Sequence, residues 1–379
     1  MTSNEDDHDV LSLIIILLVI VTVNNARNCH RLTKSALVHH CFSPWITLLR
    51  NADDGSFLTV TGFNRSAFTA LEAVVFPEDR TATTVLAEKR GRPEILDNKG
   101  KLGLYLLYTT SRMEMKMLCL IFGIPPTTCI RYIDMMIKLV VKRLKKNAIA
   151  RVFFPTTDEE KSYYASLIAR REPAIQNCIG FVDGLSIPVQ CCDEVIEQNK
   201  NYNGYRHDTH INNVLAFAPT GKIIYAALNY PGSWHDSQVA EGLVDIVIAT
   251  IGAFCMCVDQ GFPRSGELFE KFVGPISKKA KKQLNPLLRD LLMARSGLFT
   301  SLRQAAEWGM RALQGSFSRL KARLSSDKKK RGMIVLSIIL LHNFRTEYVG
   351  LNQIATVFNP EYEQYINLEN YDRIRDYFL

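Results

Sequence analysis

Two apolar runs that each break at an aspartate constrain this chain most. Ile179-Gly180-Phe181-Val182 stops at Asp183-Gly184, and Ala253–Val258 stops at Asp259-Gln260-Gly261. Short apolar runs bounded by turn residues read as buried strands. Between them, Val214–Phe217 and Ile223–Leu228 flank Pro219-Thr220-Gly221-Lys222, the pattern of a hairpin, and Ser237–Thr250 has a helical pattern. The order strand, hairpin, helix, strand, followed by a long helical tail, predicts an α/β domain with a mixed sheet and flanking helices. If the two outer runs are parallel neighbours, Asp183 and Asp259 emerge at the same sheet edge.

The tail carries its own period. Ala306, Met310, Leu313, Phe317 and Leu320 recur at spacings of 4, 3, 4 and 3, which predicts an amphipathic helix over Arg303–Lys321 with Glu307 flanking its apolar stripe. A second apolar helix, Ile334–Leu341, follows the basic run Lys328-Lys329-Lys330-Arg331. The stretch from about 265 to 302 holds Lys278-Lys279-Ala280-Lys281-Lys282 and no strand signal, and reads as a helical insertion. Both lysine runs suit nuclear import or phosphate contact, with solvated surface the equal alternative.

Residues 1–150 read as helical, the α/β domain as 151–350, and 351–379 as a C-terminal tail. In the helical part, Phe57–Phe63 ends in a turn and Asn64 can cap the helix that follows. Leu118–Phe122, then Gly123-Ile124-Pro125-Pro126, then Thr127-Thr128-Cys129-Ile130-Arg131 predict a short helix, a glycine turn and a second helix with proline in its first turn. That is a helix-turn-helix at about 114–146, a DNA-binding motif when its second helix reaches the major groove. Thr127, Thr128 and Arg131 open the second helix, and Lys142, Arg143, Lys145 and Lys146 end it as a basic tail suited to phosphates. An ordinary helical hairpin with a solvated charged end is the alternative.

With 46 Lys and Arg against 38 Asp and Glu, the net charge is +8, and 47% hydrophobic residues exclude a mainly disordered chain. Nine cysteines without CxxC pairs exclude a disulfide scaffold or zinc ribbon, and Cys191-Cys192 and Cys255/Cys257 read as buried thiols of a reduced compartment. Leu11–Val23 is almost wholly apolar, but a bilayer span needs ~20 residues and acids precede this one. A buried helix with Asp9 as N-cap is expected, a membrane anchor being the lesser alternative.

Four acids stand where pattern alone would not put them: Asp183, Asp236 in Pro231-Gly232-Ser233-Trp234-His235-Asp236-Ser237, Asp259 and Glu307, separated by 53, 23 and 48 residues. Gathered carboxylates repel, and a bound cation or a raised pKa relieves them. Oxygen donors select Mg²⁺ or Mn²⁺, and a pair of such ions cleaves phosphodiesters. Singly, each acid has a plainer reading: turn former, helix cap, or (for Glu307, between Arg303 and Arg311) a surface ion pair. His207-Asp208-Thr209-His210 lacks the further ligands that zinc needs. The Tyr202-Asn203-Gly204-Tyr205-Arg206 turn, which mixes aromatics with a cation, suits nucleic acid or a plain loop.

Several motifs in order resemble the catalytic region of PIF/Harbinger-type transposases, closest to fungal DDE superfamily endonuclease domains. They are Phe181-Val182-Asp183-Gly184, Tyr202-Asn203-Gly204-Tyr205, Pro231–Ser237, Asp259-Gln260-Gly261-Phe262-Pro263, Ala306-Glu307-Trp308-Gly309-Met310 with Arg319-Leu320-Lys321, and Leu340-Leu341-His342-Asn343-Phe344. The resemblance covers about residues 178–345. It implies an RNase H-like fold and two-metal, Mg²⁺- or Mn²⁺-dependent cutting of DNA at transposon ends. Asp183 is then the first acid and Glu307 the last. Asp236 and Asp259 compete for second place, and all four are expected to approach the metals. DNA is the implied partner and the nucleus the expected location, with a Myb-like DNA-binding protein, which relatives use, and a second copy of the chain as further partners, and no membrane. A non-catalytic DNA-binding or scaffold protein derived from such an element is the rival reading.

Overall fold

The computed structural model describes residues 12–23, 32–77, 94–277, 281–282 and 286–359. Asp9 and the run Lys278–Ala280 therefore lie outside the described residues. Helix α1 spans 12–23. The helices α2 (Pro44–Asn51), α3 (Asp54–Thr61), α4 (Arg65–Val75), α5 (Asn98–Thr110), α6 (Met115–Phe122), α7 (Pro126–Leu144) and α8 (Asp158–Arg171) precede the sheet. Their boundaries are chemical. The Asp53, Asn64, Asp97 and Thr157 side chains each accept a backbone N–H of the following first turn. Gly123, at φ 63°, ends α6 in the left-handed conformation that glycine adopts without a Cβ penalty, and Pro126 opens α7.

The sheet comprises β1 (Cys178–Pro188), β2 (Tyr202–Asn203), β3 (Asp208–Phe217), β4 (Ile223–Pro231), β5 (Cys255–Cys257) and β6 (Phe272–Val273), interrupted by α9 (Val195–Asn201), α10 (Asp236–Val239) and α11 (Glu241–Ala249). β3 pairs antiparallel with β1, β2 and β4. β5 runs parallel to β1 and β6 parallel to β5, so the sheet is mixed. Helices α12 (Arg289–Ser316), α13 (Lys328–Tyr348) and α14 (Gln353–Phe358) complete the chain.

Hydrophobic residues fill both faces. Ile179, Val182, Val214, Ile224, Met256 and Val258 pack under α11, through Leu243 and Val247. The opposite face, with Phe181, Leu185, Ile187, Leu215, Phe217 and Ile223, packs against α12 and α13, and the same cluster continues into Trp45, Phe57, Tyr105, Phe122, Tyr132 and Ile137 of the preceding helices. Residues on either side of position 150 thus share one core. Phe358 of α14 joins it, with its ring 5.1 Å from that of Phe181.

Several expectations are corrected. β1 does not stop at Asp183: Leu185 and Ile187 stay buried and hold the strand against β3 through Pro188, so the aspartate sits mid-strand. The stretch without strand signal contains β6, a two-residue strand too short to leave a pattern. The helix of Glu307 starts at Arg289 and ends at Ser316, before a short 3₁₀ turn over Ser318–Lys321. Cys191 is exposed rather than buried. Leu13–Val21 of α1 are each at least 48% exposed, so the expected buried helix is not observed, and these residues stand outside the core. Among the described residues no helix is long and apolar enough to cross a membrane. In the 328–331 run, Arg331 is buried, donating from Nε to Asn229 Oδ1 (2.7 Å), and Lys330 pairs with Asp134 at 3.1 Å, so only part of that run is solvated surface.

Candidate active site

β1 outlasts β5 by several residues, which leaves a notch beyond the end of the shorter strand. Side chains alternate across a strand. With Val182 on the α11 face and Phe181 and Leu185 on the α12 face, Asp183 belongs to the α12 face. By the same alternation Asp259, two residues past Cys257, leaves β5 on that face.

α12 crosses there and supplies Arg303 and Glu307. The Arg303 guanidinium contacts Glu307 Oε1 at 2.5 Å and Asp259 Oδ1 at 3.7 Å, and its charge also acts on Asp183. One cation therefore serves three acids from three elements. Gly309, two residues beyond Glu307, lets α12 lie close to the sheet: a Cβ there would stand 2.8 Å from the Phe217 ring.

Asp236 arrives from the other side. Its helix, α10, is short and opens with a capping box in which the His235 and Gln238 side chains and backbones satisfy one another. Its carboxylate lies against Gly184, where a Cβ would come within 2.4 Å of Oδ2. Glycine is required at 184 for this approach. The structure thus sets Asp259 and Glu307 on one arginine whose charge also reaches Asp183, all on the α12 side, and seats Asp236 against Gly184 on the opposite side of β1.

The electrostatics match the geometry. Burial pushes the Asp183 carboxyl up to about 6; the Gly184 N–H (2.8 Å) and Arg303 pull it down, and the charges of Asp259 and Asp236 push it up. Burial also raises Asp236, with Asp259 adding to the effect and His235 and Arg206 opposing it.

The donor set suits a hard divalent cation: carboxylate oxygens only, with two of the acids buried enough to hold a proton above the ordinary pKa and two paired with one arginine. The acids do not form a ligand shell: no three of their carboxylates bring oxygens within 4.8 Å of one another, and Arg303 pairs with Asp259 and Glu307. Among the described residues, His39, His40 and Cys41 are the set of three whose ligand atoms all lie within 4.8 Å of one another. Sequence reading missed that set, although three consecutive nitrogen and sulfur ligands were visible. Arg303 was legible only as the i−4 neighbour of Glu307.

The residues singled out for DNA contact are not brought to the notch, nor to each other. Thr127 and Arg131 are exposed and Thr128 half-buried at the start of α7; Lys142, Lys145 and Lys146 are exposed at its far end. At 1.5 Å per residue the two groups stand roughly 20 Å apart. Lys142, Arg143, Lys146 and Asn147 line a cleft with Val74 of α4, and Arg143 Nε is buried there without a hydrogen-bond partner. The opposite face of α7, from Cys129 to Leu144, is core.

Residues 182–343, less than half of the chain, match the family described as DDE superfamily endonuclease. The match supports that superfamily, and with it a transposase-like nuclease acting on DNA, for a segment containing all four acids. Members of the superfamily usually use divalent metals. No curated protein and no solved structure matches the chain.

Proposed function

We propose that the chain is a metal-dependent DNA endonuclease of the PIF/Harbinger transposase type, with an RNase H-like catalytic domain that cuts at element ends. The observation that carries the proposal is the convergence of Asp183, Asp259 and Glu307 on Arg303. The sheet order supports it: an antiparallel β4-β3-β1 unit followed by parallel β5 and β6.

Asp183, Asp259 and Glu307 would hold two Mg²⁺ or Mn²⁺ ions, with Asp236 adjoining from across β1. Bound there, the ions supply an activated water and a stabilised leaving oxygen for phosphodiester cleavage. Asp183 would serve such an ion as a carboxylate, the ion's charge offsetting the burial that holds its pKa up. Arg303, released from Glu307 and Asp259, faces the non-bridging oxygens of the phosphodiester, to which a guanidinium can donate two hydrogen bonds. Asp259 takes the role of second acid in this reading, because it shares a face with Asp183 and an arginine with Glu307. Asp236 sets the floor of the pocket by packing on Gly184.

The cleft of Lys142, Arg143 and Lys146 takes a backbone phosphate away from the cut, with the orphaned Arg143 Nε as donor. Thr127, Thr128 and Arg131, at the other end of α7, make a separate contact. A Myb-like protein supplies sequence recognition, and the chain works in the nucleus on chromosomal DNA.

The test is Mn²⁺-dependent nicking of DNA bearing the element's terminal repeats. The expected result is nicking by wild type, none by Asp183→Asn or Glu307→Gln, and a steep loss of DNA affinity with salt. DNA binding without any nicking would leave the non-catalytic reading in its place.

A further inference from the structure

We infer that the turn from Tyr202 to Asp208, together with Trp234, is a stacking platform for an unpaired base of the DNA held at the acidic notch. This inference rests on the nuclease reading.

The turn is rigidly built. Asn203 Oδ1 accepts the backbone N–H groups of Tyr205 (3.0 Å) and Arg206 (3.1 Å), and its Nδ2 donates to the Gly232 carbonyl at 2.9 Å. His207 sits at φ 52°, a left-handed conformation that non-glycine residues adopt at a cost. Arg323 clamps Asp208 with two hydrogen bonds of 3.0 and 2.9 Å. The neighbouring turn is tied down as well, since Asn212 Nδ2 donates to the Trp234 carbonyl at 2.7 Å.

All this order presents Tyr205 to water: the residue is 95% exposed, while Tyr202 is 44% and Trp234 39% exposed. A braced turn that spends a strained residue on displaying a ring gains nothing from it inside the fold. Strain of this kind persists where a binding surface uses it.

Position and charge select the occupant. Asn203 of the turn holds the Gly232 carbonyl, four residues before Asp236, so the turn borders the loop that carries Asp236. Trp234 stands two residues before Asp236 and contacts the Tyr230 ring at 5.5 Å. Aromatic rings interleaved with a cation beside a phosphodiester-cutting centre fit bases that have left the stack, whose phosphates the cation faces. Stacking of this kind is indifferent to sequence and preorganised rings lose little entropy on binding.

The experiment compares the affinity of the full chain, in the uncut Asp183→Asn background, for a blunt duplex and for the same duplex with unpaired nucleotides at its end. The frayed DNA is expected to bind about tenfold more tightly than the blunt one. Tyr205→Ala should collapse that ratio to about one, and Tyr205→Phe, which keeps the ring, should restore it. Thermal midpoints confirm that both variants fold. A Tyr205→Ala ratio equal to that of the parent overturns this inference alone and assigns the ring to another occupant, such as a protein surface. A chain that binds neither DNA overturns the nuclease reading with it.

Discussion

Asn343 lies in the Leu340–Phe344 motif of α13, 1% exposed, far along the chain from the acids. The structure gives it a structural task. Its Oδ1 accepts the Ile223 N–H at 2.7 Å, and its Nδ2 donates to the Ile223 carbonyl at 2.9 Å and to the Arg151 carbonyl at 3.3 Å. One amide therefore closes the first residue of β4 as a neighbouring strand would, and fastens α13 to the sheet. Asn343→Leu keeps the shape and removes all three bonds. A buried donor or acceptor left unpaired costs about 1–3 kcal/mol, and Ile223 would have one of each, partly offset by the apolar side chain. The expected destabilisation is about 2–4 kcal/mol, read by urea titration as a lower midpoint at unchanged slope. Protein that remains folded should nick at the wild-type rate, because Asn343 touches none of the acids. A stability change below about 0.5 kcal/mol would refute the bond assignment, and lost nicking in fully folded protein would refute the structural reading.

Other predictions concern the notch itself. Asp183 holds its proton to about 6 in the folded chain against 3.8 for the free side chain, so the stability it contributes is complete below the unfolded value and is lost as pH rises through about 6. Without metal, the stability of wild type relative to Asp183→Asn should therefore fall by about 2 kcal/mol between about pH 4 and pH 7; a flat difference in chemical denaturation would contradict the burial of this carboxyl. Gly184→Ala forces Asp236 off the β1 backbone, and nicking should drop tenfold or more, at an overpacking cost of about 1–3 kcal/mol; unchanged kinetics would show that Asp236 does not shape the pocket. Arg303→Gln removes the shared cation, so the metal-free thermal midpoint should fall and Mn²⁺ should raise it more than in wild type; equal shifts would separate Arg303 from the metal ligands.

How much of this was legible in sequence follows physical lines. The β3–β4 hairpin and the caps at Asn64 and Gly123 are local features, and they show in composition and spacing, whereas the parallel pairing of β1 with β5 joins distant residues and was open in the sequence. The extent of β1 was not legible, because Asp183-Gly184 looks like a turn. Only pairing with β3, which begins 20 residues later, carries the strand through it. Asp259 and Asp236 could not be ranked from the chain, since the face each one occupies depends on the pleat of β1 and on the path of α12. The exposure of α1 was hidden for the opposite reason: an apolar run says that burial is favourable and not which surface provides it.

The most direct test of the central claim is the anomalous scattering of crystals soaked in Mn²⁺. Two peaks bound by Asp183, Asp259 and Glu307 are expected, with the Arg303 guanidinium turned away from Glu307. Manganese elsewhere on the chain, with the arginine still bridging Asp259 and Glu307 at full metal occupancy, would contradict that claim.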